Sequence, residues 1–181
     1  MNGKDIKVIV KTAVSLFLIC AVAAGILALV NNVTAPKIAE NSEKSATEAR
    51  QTVLPDAESF EEFTLSGGET GYKGIKNGKV IGYVFTTTAN SYGGELEVMT
   101  GFDKNGTITA ISILSIDDTP GLGMNAKKES FYGQFSGLSG ELAVNKDGGE
   151  IVAITSATIT SRAVTKAVNA ATALYNEAKE G

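Results

Sequence analysis

The sequence KVIGYVFTTTANSYGGELEVMTGFDKNGTITAISILSI, residues 79–116, decides the fold of this 181-residue chain. Three runs within it are rich in β-branched and aromatic residues, as is typical of strands: 79–88, 95–102 and 107–116. Glycine-containing turns separate the runs, and Asn-Gly pairs stand at 77–78 and 105–106. Because Asn-Gly is the strongest short-range hairpin signal, the segment predicts three antiparallel strands connected as a meander.

Helical patterns follow these strands. A helix is predicted over 125–135, and then a short strand pair, 142–144 and 150–154, joined by a turn at 145–149. Apolar residues recur every three or four positions from 160 to 179, which predicts a final helix packed on one face of the sheet. Strands followed by helices at one face indicate an α+β fold.

An uncharged apolar stretch fills residues 12–30, and as a helix it reaches roughly 28 Å, close to the hydrocarbon thickness of a bilayer. Lys4, Lys7 and Lys11 precede it, so a cleaved signal peptide is the alternative. The stretch is longer than the apolar part of a signal peptide, and no strong A-x-A cleavage site follows it. We therefore favour an uncleaved, single-pass transmembrane helix.

The charges on the two sides of this helix predict its orientation. The whole chain has 16 basic and 20 acidic residues, whereas from Val33 onward 13 basic and 19 acidic residues give a net charge of −6. The positive-inside rule then places the N-terminus in the cytoplasm and the bulk of the chain on the periplasmic or extracellular side of the cell membrane. The acidic balance, without a basic stripe, argues against nucleic-acid binding.

The residue types that are missing restrict the chemistry. The sequence has no histidine and one cysteine, Cys20, which lies within the apolar stretch. Histidine-ligated metal sites, Ser-His-Asp triads and an internal disulfide are therefore excluded. We predict no metal site and no catalytic side chain. Any chemistry then depends on hydroxyls, carboxylates, lysines or a bound cofactor.

The region between the apolar stretch and the strands is polar. Residues 36–53 predict a helix that ends before Pro55, and a stalk leading to a domain is its expected role. The glycine-rich residues 66–74 predict a loop.

Hydroxyl side chains are concentrated where the last helix begins. The segment TSATITSR, residues 155–162, has five hydroxyls within seven residues. One interpretation is structural, with Thr160 or Ser161 capping the helix and the others bonding nearby backbone. The other is an anion site, in which helix amides, hydroxyls and Arg162 bind a phosphate that a threonine carries as an ester.

A second segment of interest is DDTPGLGM, residues 117–124, which follows the third strand. Pro-Gly is typical of a tight turn, and that is the structural interpretation. In the functional interpretation, the glycines let the backbone lie flat against a planar ring, with Leu122 and Met124 as apolar contacts. Both interpretations remain open on the residues alone.

Three stretches in the right order resemble one protein family. ITSATITSRAV at 154–164 is similar to the flavinylation motif of the RnfG/NqrC family of membrane-anchored FMN-binding subunits, whose usual form is Ser/Thr-Gly/Ser-Ala-Thr. DDTPGLG at 117–123 resembles the family's ETPGLG, and YGGELEV at 92–98 resembles a third family stretch. The short chain and the TITSRAV continuation look more like the RnfG branch than the NqrC branch.

This resemblance implies a function. The family's exported domain carries FMN, attached by a phosphoester to the last threonine of the motif, here Thr158, and a separate flavin transferase makes the ester from FAD. By the same resemblance, Ser156 and Thr160 contact the phosphate. The isoalloxazine ring is then lined by Thr119, Gly121, Leu122 and Gly123.

The resemblance also implies partners and a domain order. The chain is expected to relay electrons within the Rnf complex, an ion-translocating ferredoxin:NAD⁺ oxidoreductase, beside other membrane subunits, with no complete turnover of its own. The expected order is a cytoplasmic stub and transmembrane helix at 1–33, a helical stalk and linker at 34–66, and an FMN-binding domain at 67–181. An NqrC-like or stand-alone exported flavoprotein is the first alternative, and a non-redox membrane-anchored binding module is the second.

Two positions depart from the family pattern. Val152 stands where the family often has an aspartate, three residues before the motif opens, and Asp118 stands where it has a glutamate. The first change bears on recognition by the transferase. The second keeps the charge on a shorter side chain, and neither alters the acceptor threonine.

Overall fold

A computed structural model of the chain describes residues 3–180. A long helix, α1, precedes five strands, and two further helices follow them. Their bounds are α1 Gly3–Val53, β1 Ser59–Thr64, β2 Thr70–Lys76, β3 Lys79–Asn90, β4 Glu95–Asp103, β5 Ile108–Ser115, α2 Glu129–Tyr132 and α3 Thr158–Glu180. The first two residues of the predicted stub and the last residue of the predicted FMN-binding domain lie outside the described residues.

The five strands form one antiparallel sheet in the order β1-β2-β3-β4-β5. The predicted meander is confirmed as β3, β4 and β5, paired for example at Phe85–Thr100 and Thr100–Ile111. The prediction of a loop over 66–74 is wrong from Thr70 onward, because β2 begins there. Gly74 lies within that strand, where a Cβ would overlap the side chain of Leu54. Close packing, and not a turn, accounts for the glycine.

One face of the sheet carries the larger core. α3 packs across β3 and β4 through a row of small and branched side chains, which includes Val164 and Val168. Phe85, Phe102 and Tyr175 add aromatic packing, and the Phe102 and Tyr175 rings are stacked with centroids 5.1 Å apart. The amphipathic helix predicted from residue 160 is thus confirmed, and it begins two residues earlier, at Thr158. The α+β class is confirmed with it.

The opposite face of the sheet is covered by the last turns of α1. Ala49, Val53 and Leu54 are buried there against Val84 and Met99. The chain divides into two compact units, Met1–Lys44 and Ser45–Gly181, so the predicted stalk and linker of 34–66 falls across this division. The end of α1 and strand β1 therefore belong to the same unit as the sheet.

Helix α1 has the length and composition of a membrane-crossing helix. Its apolar part, within Ile9–Val53, reaches a mean hydropathy of 2.8 over 18 residues, and none of these 18 residues is buried. The helix continues through Pro36 without a break in its assignment. The predicted transmembrane segment is thus present as a single apolar helix among residues 3–180.

The region between the sheet and α3 is less regular than predicted. The helix expected over 125–135 is a succession of three short pieces: a 3₁₀ turn Gly123–Lys127, α2, and a 3₁₀ turn Gly133–Phe135. The expected strand pair is a single bridge between Val144 and Ile151, and it is parallel. The prediction of a strand pair over 142–144 and 150–154 is wrong beyond this bridge, because the amides after Ile151 bond to side chains instead of a neighbouring strand.

Candidate functional site

A cavity of about 470 Å³ lies where three segments meet: the β3–β4 turn, the loop after β5, and the first turn of α3. Ten residues line it: Tyr92, Asp118, Thr119, Leu122, Gly123, Ser156, Ala157, Thr158, Ile159 and Thr160. Six of the seven site residues predicted from the sequence are among them. The seventh, Gly121, lies in a neighbouring groove of about 700 Å³.

Thr158 is the first residue of α3, a helix of 23 residues. The first amides of a helix have no intrahelical acceptor, and the helix dipole adds positive potential at this end. A tight turn leads into the helix and is closed by a bond from Ala157 N to Ile154 O at 3.0 Å. The helix then begins with a bond from Ser161 N to Ala157 O at 3.0 Å. This arrangement places the half-buried Thr158 side chain at a terminus suited to an anion.

Asp118 holds the three segments together. Its carboxylate, 3% exposed, accepts hydrogen bonds from Ser91 Oγ at 2.5 Å, from Gly93 N at 2.6 Å, and from Thr160 Oγ1. Gly123 packs against it so closely that a Cβ would lie 2.5 Å from Asp118 Cβ. Burial raises the pKa of Asp118, but the bonds from Ser91, Thr160 and Gly93 outweigh burial and hold the pKa below its ordinary value. The group is therefore a carboxylate at neutral pH.

Apolar side chains form the mouth of the cavity. Tyr92 is 72% exposed, and Leu122 and Ile159 are also largely exposed for their type. Large apolar groups in contact with water around a concave site are typical of ligand binding.

Arg162 is not part of this cavity. Its guanidinium makes a bidentate pair with Asp147, with Nη2–Oδ1 at 2.5 Å and Nε–Oδ2 at 2.7 Å. The expectation that Arg162 stands beside a bound phosphate is therefore wrong, because Asp147 already occupies its donor fork. The ten lining residues include no lysine or arginine. Helix amides and hydroxyls are left to bind an anion there.

Sequence comparison connects this cavity with known proteins. Residues 91–173, which include all ten lining residues, match the model of the FMN-binding domain, and residues 1–53 match that of the RnfG N-terminal region. A relative from Acetobacterium woodii, a subunit of its Na⁺-translocating ferredoxin:NAD⁺ oxidoreductase complex, is 42% identical over 194 aligned positions, which cover 94% of this chain and 93% of that protein. The chain belongs to the RnfG family.

Other relatives agree with this family assignment. A subunit of the proton-translocating ferredoxin:NAD⁺ oxidoreductase complex of Clostridium ljungdahlii is 35% identical, over 94% of this chain and 93% of that protein. Among solved structures, NqrC of Shewanella oneidensis superposes with a TM-score of 0.53 at 17% identity, over 62% of each chain. That likeness shows a shared fold.

The cavity suits the FMN that an FMN-binding domain of the RnfG family holds. Its volume of about 470 Å³ lies within the usual range for small-molecule pockets. Apolar walls at Tyr92, Leu122 and Ile159 match a planar ring, and the α3 terminus with its hydroxyls matches a phosphate.

Some lining residues of this RnfG-family site had no role in the sequence-based hypothesis. Ile159 was not singled out, Tyr92 appeared only within a motif, and Asp118 was noted only as a departure from the family pattern. The role of Asp118 depends on partners 27 and 42 residues away, Ser91 and Thr160, and a single sequence carries no signal for such distant bonds.

The backbone of Ser156 lies in the left-handed region, which is strained for a residue with a side chain. Its φ is +61°, a region that side chains with a Cβ rarely adopt and that glycine adopts freely. We expect Ser156→Gly to stabilise the domain by about 0.5–1 kcal/mol, because the strain of the Cβ exceeds the added freedom of the unfolded chain. Urea unfolding at pH 7 measures the difference. Ser136→Gly, at an ordinary φ of −64° and with a hydroxyl that donates to Thr109 O at 2.8 Å, is expected to destabilise instead.

Proposed function

We propose that the chain is an electron-relay subunit of a membrane-bound, ion-translocating ferredoxin:NAD⁺ oxidoreductase complex, with FMN bound to Thr158 by a phosphoester. One observation carries the proposal: Thr158, which bears a hydroxyl, is the first residue of α3 and lines the cavity. All residues that line this cavity lie within the part of the chain that matches the FMN-binding domain. The relatives named as subunits of such complexes cover nearly the whole chain.

The attachment is a phosphoryl transfer from FAD. Thr158 Oγ1 forms a bond to the phosphorus on the FMN side of the FAD pyrophosphate. The bond from that phosphorus to the bridging oxygen breaks, AMP leaves, and the hydroxyl proton of Thr158 is released. A flavin transferase catalyses this reaction, and no electron is gained or lost in it.

Helix α3 is suited to hold the resulting phosphate. The free amides of its first turn donate to the phosphate oxygens, and the helix dipole favours the negative charge. Ser156, exposed at the edge of the cavity, is placed to add a hydroxyl. Thr160 donates its one hydroxyl proton to Asp118, so we assign it to holding the turn in place and not to the phosphate.

The ring-binding part of the site follows from the same cavity. Thr119, Leu122 and Gly123 line this cavity, so we assign the ring contacts to them, and Tyr92 and Ile159 extend its apolar wall. Gly121 faces the neighbouring groove, so we leave it out of the ring contacts. Bound FMN supplies the reversible electron acceptor, and the protein supplies its position and its electrostatic surroundings.

Helix α1 anchors the domain in this proposal. Lysines before the apolar stretch and a net charge of −6 after residue 32 support a cytoplasmic N-terminus and an exported domain. The partners are other membrane subunits of the complex, and the transferase during maturation. A covalent tether also keeps FMN from diffusing away outside the cell.

Mass spectrometry and gel fluorescence test the covalent bond directly. The full-length chain is coexpressed with a flavin transferase, purified in detergent and denatured in SDS. We expect a fluorescent band and an intact mass that exceeds that of the polypeptide by one FMN less one water. A yellow protein whose flavin separates on denaturation contradicts the ester, and a colourless protein contradicts flavin binding altogether.

A further inference from the structure

The three residues before the Thr155–Thr158 motif, 152–154, each donate their backbone amide to a side chain. We call residues 152–154 the acceptor arm. The side-chain amide of Gln134 accepts from Val152 N at 2.8 Å and donates to Val152 O at 3.3 Å. Asn145 Oδ1 accepts from Ala153 N at 3.2 Å, and Ser161 Oγ accepts from Ile154 N at 2.9 Å.

These bonds replace a neighbouring strand. The backbone bridge between Val144 and Ile151 ends just before the acceptor arm, so the arm has no sheet partner among residues 3–180. The amide of Gln134 supplies both an acceptor and a donor to one residue, as the backbone of an adjacent strand does. Side chains from three separate places in the sequence therefore satisfy three consecutive amides of the arm.

The arm remains open to solvent on its other side. Val152 is 59% exposed, and Thr155 and Ser156 are also exposed. The arm borders the groove of about 700 Å³ that includes Lys128. A protein that modifies Thr158 can therefore approach along a segment that side-chain hydrogen bonds already hold in place.

Hydrogen bonds connect the acceptor arm to the turn that carries Thr158. Ile154 O accepts from Ala157 N, and Ser161 bonds both Ile154 N and Ala157 O through its hydroxyl. Ser161 is fully buried in the first turn of α3. Fixing the arm therefore fixes the turn that carries Thr158.

We propose that Gln134, Asn145 and Ser161 are positioning residues for flavin attachment, which hold the acceptor arm in one conformation so that Thr158 is presented to the flavin transferase in a single geometry. The inference rests on the proposed function, since it concerns the transfer of FMN from FAD to Thr158 Oγ1 with release of AMP. An arm without these bonds samples many conformations, and ordering it on each encounter slows the transfer.

The decisive comparison uses two isosteric substitutions. Gln134→Met removes both bonds to Val152, together with those from Gln134 Nε2 to Phe131 O at 3.3 Å and Ser130 O at 3.5 Å, and keeps the length of the side chain. Asn169→Leu is the matched control, because the amide of Asn169 bonds both Leu142 N, at 2.9 Å, and Leu142 O, at 2.8 Å, away from the arm. Full-length protein in detergent is mixed with FAD and purified flavin transferase, and initial rates are read from fluorescent bands in SDS gels.

We expect Gln134→Met to lower kcat/KM for flavin transfer about tenfold or more, and Asn169→Leu to change it less than twofold. Each rate is divided by the concentration of folded protein, which is determined by circular dichroism. The assays are run at a temperature below the unfolding transitions of both variants. Gln134→Glu, which keeps the acceptor for Val152 N, is expected to recover part of the rate. If Gln134→Met does not fold, Asn145→Ala provides the same test at Ala153.

The outcomes separate the two proposals. Wild-type protein that accepts flavin, together with a Gln134→Met variant as fast as Asn169→Leu, overturns the role of the arm and leaves the function intact. Wild-type protein that accepts no flavin overturns the proposed function, and the inference falls with it.

Discussion

Thr158→Ala protein, coexpressed with a flavin transferase, is expected to give no fluorescent band after denaturation in SDS, whereas the wild-type band fluoresces. The loss is expected to be complete, because the ester needs the oxygen of that side chain and alanine has none. The two hydroxyls that follow in α3 are not available as substitutes. Thr160 is buried and bonded to Asp118, and Ser161 is buried and bonded to backbone.

Two matched variants make this result specific. Thr172→Ala makes the same change further along α3, outside both the motif and the cavity, and is expected to keep the fluorescence. Thr158→Ser keeps an oxygen at the acceptor position and is expected to retain covalent flavin. A fluorescent Thr158→Ala band, or a dark Thr172→Ala band, contradicts the assignment of the acceptor. All variants must first show the wild-type unfolding transition, so that a dark band reports chemistry and not misfolding.

The parts of the fold that the sequence predicted are those with local signals. Strands β3 to β5 follow from β-branched runs between Asn-Gly turns, and α3 follows from its apolar period. Strand β2 was missed because its glycines, such as Gly74, indicate a loop until the packed side chain of Leu54 is known. Glycines are typical both of turns and of strands that pack closely against a neighbouring side chain, and only the tertiary structure distinguishes the two.

The site shows the same division. The clustering of Thr158 with Ser156 and with the 117–123 loop was predicted from motifs, and the cavity brings them together. Arg162 was misplaced because a charge near a helix start indicates an anion site, while its partner Asp147 lies fifteen residues away along an irregular segment. The acceptor arm was expected to pair as a strand. Its bonds to Gln134 and Asn145 depend on how the short turns after β5 fold, which no local pattern specifies.

Asp118→Ala is expected to have the largest effect on stability among the site variants, a loss of about 2–4 kcal/mol at pH 7. The substitution removes the acceptor for Ser91, Gly93 and Thr160 at once. Ser91 and Gly93 are near enough to the surface to bond water, but the hydroxyl of Thr160 is buried and loses its partner. Covalent flavin is expected to persist in the folded fraction, since Thr158 itself is unchanged.

The pH dependence of that loss identifies its cause. Because the pKa of Asp118 is lower in the folded protein than in the unfolded chain, its carboxylate stabilises the fold fully above the unfolded pKa of about 3.9. This contribution is lost as the pH falls through the folded pKa. The difference between wild type and Asp118→Ala in urea unfolding is therefore expected to be constant from pH 7 to pH 5 and to shrink below pH 4. Asp117→Ala makes the same change of charge at an exposed neighbour and is expected to cost less than about 0.5 kcal/mol. Two outcomes contradict the role of the Asp118 carboxylate as the hydrogen-bond acceptor that joins the three segments of the cavity. One is an equal loss of unfolding free energy in both variants, and the other is a loss in Asp118→Ala that does not shrink in acid.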